Sequence, residues 1–198
     1  MSLVSQPRIT LVDVLLPRSR SWLFDATLVV VFSAFVALTA QIEIPLRPVP
    51  ITLQTLGVFF TGAVLGSRRG ALALLLYLAE GAVGLPVFAG GASGVAYMLG
   101  PTGGYLVGFV PAAAVVGWLA EHGWDRRPLW TALAMVMGNL VIYALGVAWL
   151  AVLLGDLRTA LVQGALIFII GDLIKLAIAT IALPGGWALA RRHRDTPV

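Results

Sequence analysis

Long runs of Leu, Val, Ala and Ile recur along the chain, separated by short groups rich in Gly, Pro and Arg. About 20 apolar residues are needed for a helix to cross the hydrocarbon core of a bilayer. Runs of that order cover residues 22–40, 51–66, 70–88, 104–120, 129–153 and 161–183. The second is the shortest, and the third carries Glu80, Gly81 and Gly84. The pattern predicts an all-α integral membrane protein: six transmembrane helices in one domain over residues 1–198, with no break in composition to mark a second unit.

Composition sharpens the picture. Of the 198 residues, 60% are hydrophobic and 11% charged, against about 25% charged in soluble domains. So few charges cannot coat a solvated surface. The positions of the twelve arginines give an orientation. Arg8, Arg18 and Arg20 precede the first run, Arg68 and Arg69 join the second to the third, Arg126 and Arg127 join the fourth to the fifth, and Arg191, Arg192 and Arg194 follow the sixth. In a six-span chain these ten share one side, and only Arg47 and Arg158 fall on the other. The positive-inside rule then places both termini in the cytoplasm. The N-terminal residues lack the pattern of a cleaved signal, so the first span is expected to direct its own insertion.

Several function classes drop out. The chain has no Cys, hence no disulfide framework or thiolate metal site, and no metal or cofactor is expected. His122 and His193 both lie in polar stretches. The sequence pI is about 10.1, but the basic residues are spread between spans rather than gathered in one patch, so nucleic acid is not an expected partner. There is no phosphate-binding G-x-x-x-x-G-K-[ST], no G-x-S-x-G and no H-E-x-x-H. ATP hydrolysis and enzymatic catalysis find no support, and no catalytic residue is assigned. A clear internal repeat is also absent, which weakens a secondary carrier built from inverted halves.

What remains is polar chemistry inside apolar runs. Connections on the side opposite the arginines, QIEIPLRPVP and LPVFAGGASGVAYMLGPTGG, are nearly uncharged and rich in Gly and Pro. They are either re-entrant connections or the walls of a site. Within the sixth run, Asp172 and the sole lysine, Lys175, stand three residues apart and share a helix face. Each charge alone at a bilayer centre costs about 2.5–3.5 kcal/mol on insertion scales. Paired, they are either a lock between helices or a grip for a small molecule with donor and acceptor edges. Gln54 is a ligand contact, a helix-start cap or an interhelical bond; Asn139 is an interhelical bond or a ligand contact. Ser93 and Tyr105 flank the glycine-rich loop, where a hydroxyl reaches an outer-facing cavity. Phe88 and Tyr97 either stack on a ligand ring or belong to an interfacial aromatic belt, and Glu80 reads as a snorkelling or interhelical residue. Trp22, Trp118, Trp130, Trp149 and Trp187 read as interfacial belt residues. Small residues Ser33, Ala34 and Ala37 on the first run permit close helix approach, either within the bundle or to a partner subunit.

Four motifs in this order, IPLRPVPITLQTLGVFFTGAVLG, YLAEGAVGLPVFAGGASG, GPTGGYLVGF and GDLIKL, resemble the BioY family, the biotin-specific S-components of energy-coupling factor transporters. The resemblance covers roughly residues 25–183. It implies an S-component-like bundle in the cytoplasmic (inner) membrane of a prokaryote, binding biotin from outside. It also implies partners that supply the energy: a transmembrane coupling protein and a pair of ATP-binding-cassette ATPases. By the same resemblance Asp172 and Lys175 contact biotin, with Lys175 serving either the ureido carbonyl or the valeryl carboxylate. Gln54, Thr102 and Tyr105 lie in matching motifs. Ser93 stands about where some members carry an Asn in the glycine-rich loop, and Ser33, Ala34 and Ala37 match the face that docks on the coupling protein. Alternatives are an S-component for another small vitamin and a solitary proton-coupled carrier.

Overall fold

A computed structural model describes residues 9–16 and 21–195, with side chains to Arg191. Arg8, Arg18 and Arg20, and the side chains of Arg192, His193 and Arg194, lie outside the described residues. Helices dominate in the order α1 Leu11–Leu15, α2 Trp22–Ala40, α3 Gln54–Leu65, α4 Ser67–Ala82, α5 Val95–Met98, α6 Gly103–Glu121, α7 Pro128–Leu154, α8 Leu157–Gly164 and α9 Ile169–Asp195. Between α2 and α3 a hairpin of two short antiparallel strands, β1 Glu43–Ile44 and β2 Ile51–Thr52, pairs Glu43 with Thr52 and Ile44 with Ile51.

Four stretches are long and apolar enough to span a membrane: α2, α6, α7 and the continuous segment Leu157–Arg191. The two remaining runs behave differently. Residues 51–53 go to β2 and its turn, leaving α3 with 12 residues, about 18 Å at 1.5 Å per residue. The third run ends at Ala82 rather than 88, where the positive-φ Gly84 and Pro86 do not continue the helix. The last run is interrupted. Backbone at Ala165 leaves the helical region (φ −133°, ψ −56°), and a 3-10 turn over Leu166–Phe168 precedes α9. Asp172 therefore stands in the first turn of α9 and not at the middle of one long helix.

α6 runs through the centre, packed mainly against α7, α3 and α4. Its glycines make that possible. A Cβ at Gly117 would lie 2.5 Å from the backbone of Gly66 and Ser67, and one at Gly104 would meet the Leu145 carbonyl at 2.5 Å. Small residues at helix crossings bring backbones together where no hydrophobic effect drives association. The connections 41–53 and 83–102, with α8 and the 3-10 turn after it, gather at one end, the loop end. The turns around 66 and 122–127 gather at the other, the arginine end.

One hydrogen bond corrects the reading of α2. Ser33 is fully buried and donates to Glu80 Oε2 of α4 at 2.5 Å, so its side chain faces the bundle and is not part of an open docking face. Glu80 is interhelical. Ala34 is exposed and Ala37 half-buried, beside the exposed Val30, Val31 and Phe35.

Candidate functional site

Because α3 is short, its first turn lies at the depth of the polar residues of α7 and α9. The hairpin and the loop leading to α6 close the space above it. The result is a cavity at the loop end with about 550 Å³ of empty space, its open mouth included. That is within the range of small-molecule sites. The lining is mostly apolar, with Val49, Pro50 and Leu106 among the walls and Phe109, Ile142 and Phe168 as large side chains.

One wall is polar. Asp172 and Lys175 are both buried at 8% exposure, and Lys175 Nζ lies 3.1 Å from Asp172 Oδ1. Lys175 also donates to Thr55 Oγ1 at 2.8 Å, and the Tyr143 hydroxyl donates to Asp172 Oδ2. The four residues come from three helices: α3 gives Thr55, α7 gives Tyr143, and α9 gives the ion pair. The helix break fits this arrangement, since the positive end of a helix dipole favours a carboxylate in the first turn, by about 0.3–1 kcal/mol. An ammonium has three protons. Two are engaged here, which leaves Lys175 one to offer, and each carboxylate oxygen keeps a free lone pair.

A second network frames the mouth. Gln54 donates from Nε2 to the Tyr77 hydroxyl at 2.5 Å, and Tyr77 donates to the Val87 carbonyl at 3.1 Å. Thr52 Oγ1 accepts the Gln54 backbone N–H at 3.2 Å. Gln54 thus lines the cavity while its amide ties α3 to α4. Phe88 is fully buried, edge-on to Tyr77 and stacked on Tyr97 at 5.3 Å between centroids. It backs Tyr97, and it is Tyr97 that reaches the cavity. Tyr105 and Thr102 also line it, with the Tyr105 hydroxyl donating to the Gly164 carbonyl at 2.8 Å.

Some expected residues lie elsewhere. Ser93 is half-buried and absent from the lining, where the same loop contributes Ala89 and Tyr97. Asn139 does not line the cavity, and its buried Oδ1 has no hydrogen-bond partner, so the expected bond to a neighbouring helix is not made through that oxygen. Trp187 is buried at 5% exposure and donates to Asp125 Oδ2 at 2.5 Å, unlike Trp22, Trp118 and Trp130, which are exposed. Trp149 is half-buried and donates to the Gly100 carbonyl at 2.9 Å. Reading the sequence missed Tyr143 and Thr55. Tyr143 had a visible signal, a phenol near the middle of a 27-residue apolar helix, which needs a partner when buried.

The chain matches the model of the BioY family over residues 13–192. It is 44% identical over 151 residues to a Thermotoga maritima protein named biotin transporter BioY, covering 76% of this chain and 88% of the relative. With the Rhodobacter capsulatus biotin transporter BioY it shares 45% over 168 residues, 78% of this chain and 88% of that one. Among solved structures it is similar to the S-component for biotin from an ECF-type ABC transporter, with a TM-score of 0.71, 26% identity and coverage of 92% and 96%.

Proposed function

We propose that this chain, which belongs to the BioY family, is the biotin-binding membrane subunit of an energy-coupling factor transporter. The observation that carries the reading is the buried Asp172–Lys175 pair on the polar wall of an otherwise apolar cavity. A cyclic urea presents an N–H beside a C=O. A carboxylate and an ammonium 3.1 Å apart, one with a free lone pair and the other with a free proton, complement that edge. Asp172 takes a ureido N–H and Lys175 donates to the ureido oxygen. Tyr143 and Thr55 hold the two in register, and the apolar walls enclose the rest of the bicycle. Thr102, Tyr105 and Gln54 shape the mouth.

The same reading sets the molecule in its membrane. Six crossings, two of them by the shorter α3 and α4, put both termini in the cytoplasm and the cavity mouth outside, in the cytoplasmic membrane of a prokaryote. The energy comes from a transmembrane coupling protein and ATPases, a reading that the absence of a nucleotide motif from this chain supports. The exposed side of α2 around Ala34 and Ala37 is the docking face in this account. Uptake of labelled biotin by cells expressing the chain with those partners tests it. Uptake that competes with unlabelled biotin but not thiamine supports the reading. Uptake by the chain alone in proteoliposomes, abolished by an uncoupler, replaces it with the proton-coupled carrier.

A further inference from the structure

Another pocket opens at the arginine end, between α1, the turn before α7 and the last turns of α9. Its walls are Ile9, Val14, Arg126, Trp187 and Arg191. Arg126 places its guanidinium carbon 4.5 Å from the centroid of the Trp187 ring, and its Nε is buried with no acceptor. Such an unsatisfied donor is costly to leave, so an acceptor at this place is chemically called for. Within the chain the adjacent carboxylate is Asp125, whose Oδ2 accepts from the Trp187 indole and whose Oδ1 is buried without a hydrogen-bond partner, so no hydrogen bond joins it to Arg126 Nε. Arg191 follows Trp187 by one helical turn, on the same face, and neither arginine forms a salt bridge among the described residues. The other face of the pocket is aliphatic.

Two guanidinium groups beside an aromatic floor and apolar walls match an anion joined to an apolar body. Guanidinium recognises phosphate oxygens through paired N–H donors. In a membrane-spanning chain, arginines and tryptophans at helix ends sit at headgroup level, and basic pockets between helices there take acidic headgroups. We propose that the pocket between α1, Arg126 and the C-terminal turns of α9 binds the phosphate of an anionic phospholipid. The inference rests on the chain spanning a membrane and is independent of what the loop-end cavity binds.

Native mass spectrometry of the full chain tests it, with phosphatidylglycerol and phosphatidylcholine of identical acyl chains in competition. Expected is one phosphatidylglycerol retained per chain, at least tenfold over phosphatidylcholine, with inorganic phosphate failing to displace it at millimolar concentration. Arg126→Gln and Arg191→Gln should each lower that preference about tenfold, and Arg158→Gln, at the opposite end, should leave it unchanged. Arg191 is exposed, so its variant stays informative even if Arg126→Gln folds poorly. Equal retention of the two lipids, or a preference untouched by Arg191→Gln, overturns the proposal. Displacement by inorganic phosphate overturns its lipid part and makes free phosphate the ligand.

Discussion

At the scale of residues, the account stands on a few side chains whose roles separate experimentally. Removing either member of the Asp172–Lys175 pair leaves a buried, unpaired charge, which costs about 3–5 kcal/mol. Asp172→Leu or Lys175→Met alone should therefore lower thermal stability and abolish biotin binding. The double variant should recover most of the stability and none of the binding, as melting curves and ligand titration will show. Tyr143→Phe removes a hydrogen bond to a charged acceptor, worth about 1.5–3 kcal/mol, and should weaken biotin binding roughly tenfold to hundredfold. Away from the membrane, burial raises Asp125 to about 6, partly countered by the Trp187 N–H and by Arg126. An unfolded aspartate titrates near 3.9. Between those values the folded chain holds the proton and the unfolded chain releases it, so this group's contribution to stability falls as pH rises from about 4 to 6. Melting temperatures of Asp125→Asn should lack that component, and a difference from wild type that is flat across this window would contradict the assignment. The ion pair was legible because charges in an apolar run are conspicuous. Thr55 was not, since nothing in the sequence says that residues 120 apart meet.

Elements explain why those side chains converge. Hydropathy alone locates α2, α6 and α7 closely, because an apolar run of about 20 residues in a bilayer has few alternatives to a helix. It does not reveal where a span stops being helical. α3 begins late because its preceding residues pair in the hairpin, and α9 begins late because Gly164–Phe168 turns. Those two irregularities set Thr55 and Asp172 at one depth. Gly164 is part of the device, since a Cβ there would run into the Tyr105 hydroxyl and Leu150. Gly164→Ala should lower stability by about 1–3 kcal/mol through overpacking. Adding Tyr105→Phe, which deletes the colliding oxygen, should restore part of it. Melting curves of the two single variants and the double give the coupling directly, and strict additivity would contradict the contact.

For the whole molecule, the arginine distribution favours six crossings, and the lack of cysteine in the sequence makes topology simple to test. Cysteine at 158 should react with an impermeant maleimide in intact cells, whereas cysteine at 122 should react only after permeabilisation. The reverse pattern would invert the orientation. The overall class was readable from composition, and the family from four short motifs. The cavity itself was not, because it exists only where α3, α6, α7, α9 and a hairpin meet. The most direct measurement is therefore calorimetric titration of the purified chain, without ATP or partners, with biotin, desthiobiotin and thiamine. The account predicts tight one-to-one binding of biotin, retained in part by desthiobiotin, which keeps the urea ring, and none of thiamine. Folded protein that releases no heat with biotin, or that binds thiamine as well, would contradict it.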